Sequence, residues 1–126
     1  MGYKTLAGFG SREELEWNIV SSASEKPNLL CETLLKSEDF STSAGRVWAT
    51  MCNMFTLGEA IDPITIAHKI KPLNLLGTWV LKYNPMCIAA MAPTYAKILK
   101  DIARAETLDV EAKKSLATQL AADKLE

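Results

Sequence analysis

At 126 residues, 48% of them apolar and 23% charged, the chain is one domain's worth of sequence, with enough apolar content for a core that needs no disulfide or metal staple. Fourteen Lys and Arg against fifteen Asp and Glu leave a net charge of −1, and the lack of a basic excess disfavours a domain built to live on a phosphate backbone. Cys31, Cys52 and Cys87 are odd in number, widely spaced and set in apolar surroundings, and with a single histidine the chain lacks the clustered ligands of a zinc site.

Residues 1–10, with Gly2, Gly8 and Gly10 and no apolar period, read as a flexible arm and not as a signal peptide. Ser11 and Glu14 form an S-x-x-E capping pattern, and the helix they open carries Leu15, Ile19, Ser22 and Ala23 on one side, flanked by Trp17 and Val20. Pro27 suits a first helical turn and leads into Leu29, Leu30, Cys31, Leu34 and Leu35, which predict a short helix buried on most sides. Residues 36–45 connect it to the cleanest amphipathic stripe in the chain, Ala44, Val47, Trp48, Met51 and Phe55.

Gly58 is placed to close that helix in the left-handed region, and Asp62-Pro63 to open the next as cap and first residue. Ile61 and Ile66 are expected in the core; Ile66, Ala67 and Ile70 form the inner face, and Pro72 stops the helix. Leu75, Leu76, Trp79, Val80 and Tyr83 predict a fifth helix ended by Asn84-Pro85. From Met86, Ile88, Met91, Tyr95, Ile98, Leu99 and Ile102 line a long helix in which Pro93 predicts a kink or restart. Asp109 is a fresh cap candidate for a last helix with Val110, Leu116, Ala117 and Leu120 on one side. The expected fold is all-α: a compact bundle of about five helices over residues 11–94, followed by a helical hairpin over residues 95–124.

Chemistry is sparse. "AGFGSRE", residues 7–13, lacks the lysine and the preceding strand of a phosphate loop. A nucleophilic triad must use His68, whose place beside Lys69 on a short helix suits a solvent-facing imidazole. The carboxylates at Glu13, Glu14 and Glu16 stand at a helix start, where the macrodipole explains them; Glu38 and Asp39 read as caps. Trp17, Trp48 and Trp79 recur with aliphatics at helical spacing and read as core or interface residues before base-stacking platforms. No catalytic residue, cofactor or metal is expected. Residues 46–70 also suggest a helix–turn–helix, but its second helix offers only Thr65, His68 and Lys69 as polar readers. No segment reaches the length of a membrane span, and Cys31, Cys52 and Cys87 are expected as buried free thiols, which suit a reducing cytoplasm.

"SEDFSTSAGRVWATMCNMFTLGEAIDPITIAHKI" resembles the N-terminal domain of DnaB-type replicative DNA helicases. The likeness rests on Glu38-Asp39-Phe40, on Arg46 and Trp48 of an Arg-x-aromatic helix, and on Gly58, Ile61, Asp62 and Thr65 of a Gly-x-x-Ile-Asp-x-x-Thr turn. "LLGTWVLKYNP" and "YAKILKDIARAETL" continue it in order, over about residues 11–110. The connection after Ile70 is shorter than the family's, Pro93 is a departure, and the ATPase half is absent. The helicase-binding domain of primases shares much of this architecture and is the second family it resembles.

The resemblance implies a non-catalytic domain that pairs through a C-terminal helical hairpin into the collar of a hexamer and docks primase or a helicase loader within the primosome. Carried onto this sequence, Tyr95, Ile98, Leu99, Ile102, Leu108, Leu116 and Leu120 are the candidate contact residues. Expected partners are further copies of the chain and a primase or loader, with DNA contact weak or indirect and no membrane. A free-standing phage or plasmid replication accessory, or helicase regulator with the same fold, is the alternative.

Overall fold

The computed structural model of the chain describes residues 11–87 and 89–125, with side chains described as far as Glu111. The arm read into residues 1–10 therefore lies outside the described residues. Its centre is α1 (Arg12–Glu25), in which every residue from Leu15 to Ser24 is buried and which packs against α3, α4 and α6. Ser11 opens it from an extended conformation, its Oγ accepting from the Glu14 N–H at 3.2 Å. A one-sided stripe was expected here; the helix is covered all round, and several polar side chains on its other faces find internal partners, although Asn18 Oδ1 is buried without one among the described residues. Ser24 Oγ donates to the Ser21 carbonyl at 2.6 Å, and Ser21 Oγ accepts from the Asn84 N–H at 2.9 Å.

The second helix is shorter than its apolar run suggested. α2 (Leu29–Glu32) buries Leu29 and Leu30, whereas Leu34 turns into the left-handed region at φ 58° and is 75% exposed. Thr33 Oγ1 donates back to the Leu29 carbonyl at 2.8 Å, and the left-handed step at Leu34 returns Leu35 to the core. The expectation of buried thiols fails at Cys31, which is exposed on this four-residue helix; Cys52 and Cys87 are half-buried. One turn is too short to hide all its sides.

A 3-10 turn over Ser37–Asp39, closed by Asp39 Oδ2 accepting from the Lys36 N–H at 2.9 Å, leads to α3 (Ala44–Thr56). Ala44, Val47, Trp48 and Met51 are buried; the lower end of the stripe is completed by Met54, while Phe55 is 37% exposed. Trp48 packs on Phe40 with ring centroids 5.4 Å apart, and its indole N–H donates to the Leu35 carbonyl at 3.1 Å. Gly45 lets this hairpin of chain close. A Cβ there would fall 2.6 Å from the Ser37 carbonyl oxygen and 2.9 Å from Phe40 Cβ. Gly45→Ala is therefore expected to destabilise the chain by about 1–3 kcal/mol, as overpacking does, seen as a lower urea midpoint with an unchanged m value.

α3 ends in a Schellman arrangement: the Gly58 N–H donates to the Phe55 carbonyl at 3.1 Å and the Glu59 N–H to Met54 at 2.9 Å, with Gly58 at φ 72°. Asp62 then caps α4 (Pro63–Ile70), Oδ1 accepting from the Ile64 and Thr65 N–H groups at 2.8 and 2.9 Å, while Thr65 Oγ1 accepts from the Asp62 N–H at 2.9 Å. These two punctuation marks fix the angle at which α3 and α4 pack, with Ile61 half-buried and Ile66 fully buried. A 3-10 turn at Lys71–Leu73 and a left-handed Asn74 (φ 61°) bring the chain to α5 (Leu76–Lys82), whose Trp79 is buried 6.5 Å from Trp17.

The last helix departs most from expectation. Pro93 is its second residue, not an internal kink, because a turn at residues 85–86 and a 3-10 segment at Ala89–Met91 come before it (Ile88 of the expected stripe lies outside the described residues); α6 then runs unbroken over Ala92–Leu125. The hairpin expected over 95–124 is one helix, roughly 50 Å long at 1.5 Å per residue. Asp109 carries a cap-capable side chain, but no Gly or Pro lies between Tyr95 and Leu125 to stop the helix before it, and Ala, Glu, Lys and Leu dominate the stretch. Nor does a boundary at 94/95 divide the packing: Ala92, Ala96, Leu99 and Ile102 belong to the same core as α1. The all-α architecture holds, with six α-helices and no strand among the described residues. None of those helices is long and apolar enough to cross a membrane.

Candidate interaction surfaces

The residues carried over as interface contacts divide along α6. Leu99 and Ile102 are 0% and 4% exposed, and Tyr95 and Ile98 are half-buried against the core. The first three turns of the helix are therefore covered by the bundle, and Leu99 and Ile102 are core residues rather than contacts for a partner. Small residues at Ala92 and Ala96 let α6 lie close against the bundle, which is why its stripe folds inward. Past Ile102 no described side chain of α6 is buried; Leu108 is 59% and Val110 49% exposed. Leu116 and Leu120 lie outside the residues whose side chains are described.

Beside that uncovered stretch runs a polar seam that the sequence reading did not anticipate. Glu16 is fully buried: Oε2 accepts from Arg12 Nε at 2.9 Å and from the Ser41 N–H and Oγ at 2.8 and 2.7 Å. Its Oε1 accepts from the Thr42 N–H and Oγ1 at 3.0 and 2.7 Å. The Arg12 guanidinium also donates to the Asp39 carbonyl at 2.9 Å and to the Glu106 carboxylate. Lys100 Nζ reaches Asp39 Oδ2 and the Leu34 carbonyl, each at 3.2 Å. Asp39, read in sequence as a cap and as part of a motif, thus also ties the 3-10 turn to α6, with Phe40 behind it in the core. Arg46 of the same motif is exposed on α3. The cleft along the seam, about 460 Å³, is lined by Glu38, Lys100, Arg104 and Glu106 among others. With both Glu16 oxygens occupied by protein donors, the seam works as a frame; an i, i+4 Arg–Glu pair was its one local signal.

The second surface is an apolar groove of about 450 Å³ between α4 and α5, lined by Pro63, Ile64, Ala67, Leu76, Trp79, Val80 and Tyr83, with His68 and Lys71 at its edge. Trp79 Nε1 donates to the Pro63 carbonyl at 3.0 Å, pinning α5 to the start of α4. The polar readers of a helix–turn–helix are mostly spent within this region: Thr65 Oγ1 serves the Asp62 cap and Lys69 pairs with Glu59 at 2.7 Å. Among the described residues, no group of three His, Cys, Asp or Glu is arranged to hold a metal.

Tyr83 closes one end of the groove, its hydroxyl donating to the Glu25 carboxylate. Burial first, then that hydrogen bond and charge, push its pKa from 10.0 up to about 12. A raised acid pKa favours the neutral phenol in the fold, so this contribution is complete below pH 10.0 and is lost as pH rises through about 12. Tyrosinate absorbance is expected to include a late step from Tyr83, absent in Tyr83→Phe, and Glu25→Gln to bring that step earlier.

Neither a protein-family model nor a curated protein matches the sequence. The architecture does match a solved one: the crystal structure of the N-terminal domain of DnaB helicase from Mycobacterium tuberculosis superposes with a TM-score of 0.67 at 22% identity, over 83% of this chain and 82% of that one. The chain has the fold of a DnaB helicase N-terminal domain. Within this DnaB-type fold, the cap residues Gly58, Asp62 and Thr65 and the core residues Phe40 and Trp48 hold the structure, while Leu108, Val110 and the α4–α5 groove are among the apolar features that face outward, with Leu34, Leu57, Leu81 and Met86.

Proposed function

We propose that the chain is a non-catalytic protein-interaction and oligomerisation domain of a replicative DNA helicase, acting in the cytoplasm, contributing to the collar of the hexamer and docking primase or a helicase loader. The observation that carries the reading is the likeness in fold to the DnaB N-terminal domain over most of both chains. It is supported by a long helix whose described side chains past Ile102 are not buried by the bundle, Leu108 and Val110 among them. The outward half of α6, from about Thr107, takes the contact role first sought along the whole of it. Titrating the immobilised chain with purified cognate primase and, separately, helicase loader tests the docking half. Saturable binding to one of them is expected; no binding to either contradicts it.

A further inference from the structure

Ile64 and Val80 are 73% and 68% exposed, and they line the same groove. A single exposed aliphatic is ordinary. Two of them around a groove floored by a buried indole, Trp79, form a concave apolar patch that water covers at a cost. Its walls are two short helices, a geometry that accepts the apolar side of a third.

The charges around the groove are asymmetric. Lys69 is paired with Glu59 and Lys82 with Glu13. No carboxylate is among the residues described as lining the groove; the nearby Asp62 and Glu25 keep their charge but are held outside it, by the α4 cap and by the Tyr83 hydroxyl. What remains at the edge is Lys71, which has no ion-pair partner among the described residues, beside the exposed His68. A second copy seated groove to groove about a two-fold axis sets two unpaired Lys71 side chains around one shared apolar surface, with no lining carboxylate to meet them. A partner with carboxylates beside its apolar stripe meets them with complementary charge.

We propose that the α4–α5 groove docks an amphipathic helix of a partner protein, with its apolar side on Trp79 between Ile64 and Val80 and its Asp or Glu side chains facing Lys71 and His68. The proposal deepens the partner-docking half of the proposed function and rests on it. No described residue of α6 lines the groove, so a helix seated there leaves Leu108 and Val110 free for self-association.

A displayed library of random peptides of roughly 16 residues, selected on the immobilised chain, tests this. Enriched peptides are expected to carry apolar residues at i, i+3 or i+4, and i+7, flanked by Asp or Glu. Their binding should weaken roughly tenfold against Val80→Asp, and the acid preference should disappear against Lys71→Glu. Ile64→Asp, scored only if it keeps the parent melting temperature, serves if Val80→Asp does not fold. Enrichment of Lys- or Arg-flanked peptides overturns the proposal, as do peptides without helical spacing, indifference to the groove variants, or no enrichment. Loss of self-association in Val80→Asp would identify a second copy as the occupant and overturn it equally. The selection uses no helicase, primase or oligomer, so its failure is distinct from a failure of the collar reading, which is read on α6.

Discussion

Glu16→Ala is expected to lower the stability of the chain by roughly 3–5 kcal/mol, the range for removing one member of a buried charged pair. The carboxylate is fully buried and accepts from Arg12, Ser41 and Thr42. Truncation takes acceptors from two backbone N–H groups and two hydroxyls at once and leaves a polar void inside the bundle. As a residue that only favours a helix dipole, Glu16 would be worth about 0.3–1 kcal/mol, so the size of the loss decides between the two roles. Glu16→Gln keeps the volume but turns an NH₂ toward groups that are themselves donors, and is expected to recover only part of the loss. Urea denaturation of the three proteins measures this; a loss below about 1 kcal/mol for Glu16→Ala contradicts the frame role. Because the residue anchors the start of α3 to α1, the variant should also loosen the Asp39–Lys100 contact to α6.

Trp48→Ala carries the other large effect, about 3–5 kcal/mol, as large-to-small changes of core aromatics do. Trp48 is 0% exposed, packs on Phe40, and donates to the Leu35 carbonyl just after the left-handed Leu34. Trp48→Phe keeps the ring contact and loses the hydrogen bond, leaving that carbonyl without its partner, so a loss of about 1–3 kcal/mol is expected. Thermal unfolding of both variants separates packing from hydrogen bonding. Equal losses would mean that the ring contributes little beyond its N–H.

What was legible in the sequence was local. Gly58 and Asp62-Pro63 state their roles through residue type and spacing, and the joint between α3 and α4 follows from them. The α3 stripe was readable because it faces one core, although its last position belongs to Met54 and not Phe55. α1 defeated the same reading: it is buried on all sides, so apolar spacing under-reports its burial, and two of its polar residues, Glu16 and Ser21, are met from far along the chain. Glu16 meets Ser41 and Thr42 across 25 and 26 residues, a pairing no periodicity encodes. The hairpin expected at the chain end came from weighing one possible cap at Asp109 against the absence of any preceding helix stop. Leu99 and Ile102, carried onto the sequence as contacts by the resemblance, lie in the core, and the sequence alone does not separate the two, because a stripe shows which side of a helix is apolar and not what covers it.

The direct test of the oligomerisation claim is light scattering across a range of concentrations on the chain and on a Leu108→Asp/Val110→Asp variant. A mass of at least twice 13.8 kDa is expected for the parent, falling toward the single-chain mass in the variant with its melting temperature unchanged. A parent that stays at 13.8 kDa at the highest concentration contradicts the claim.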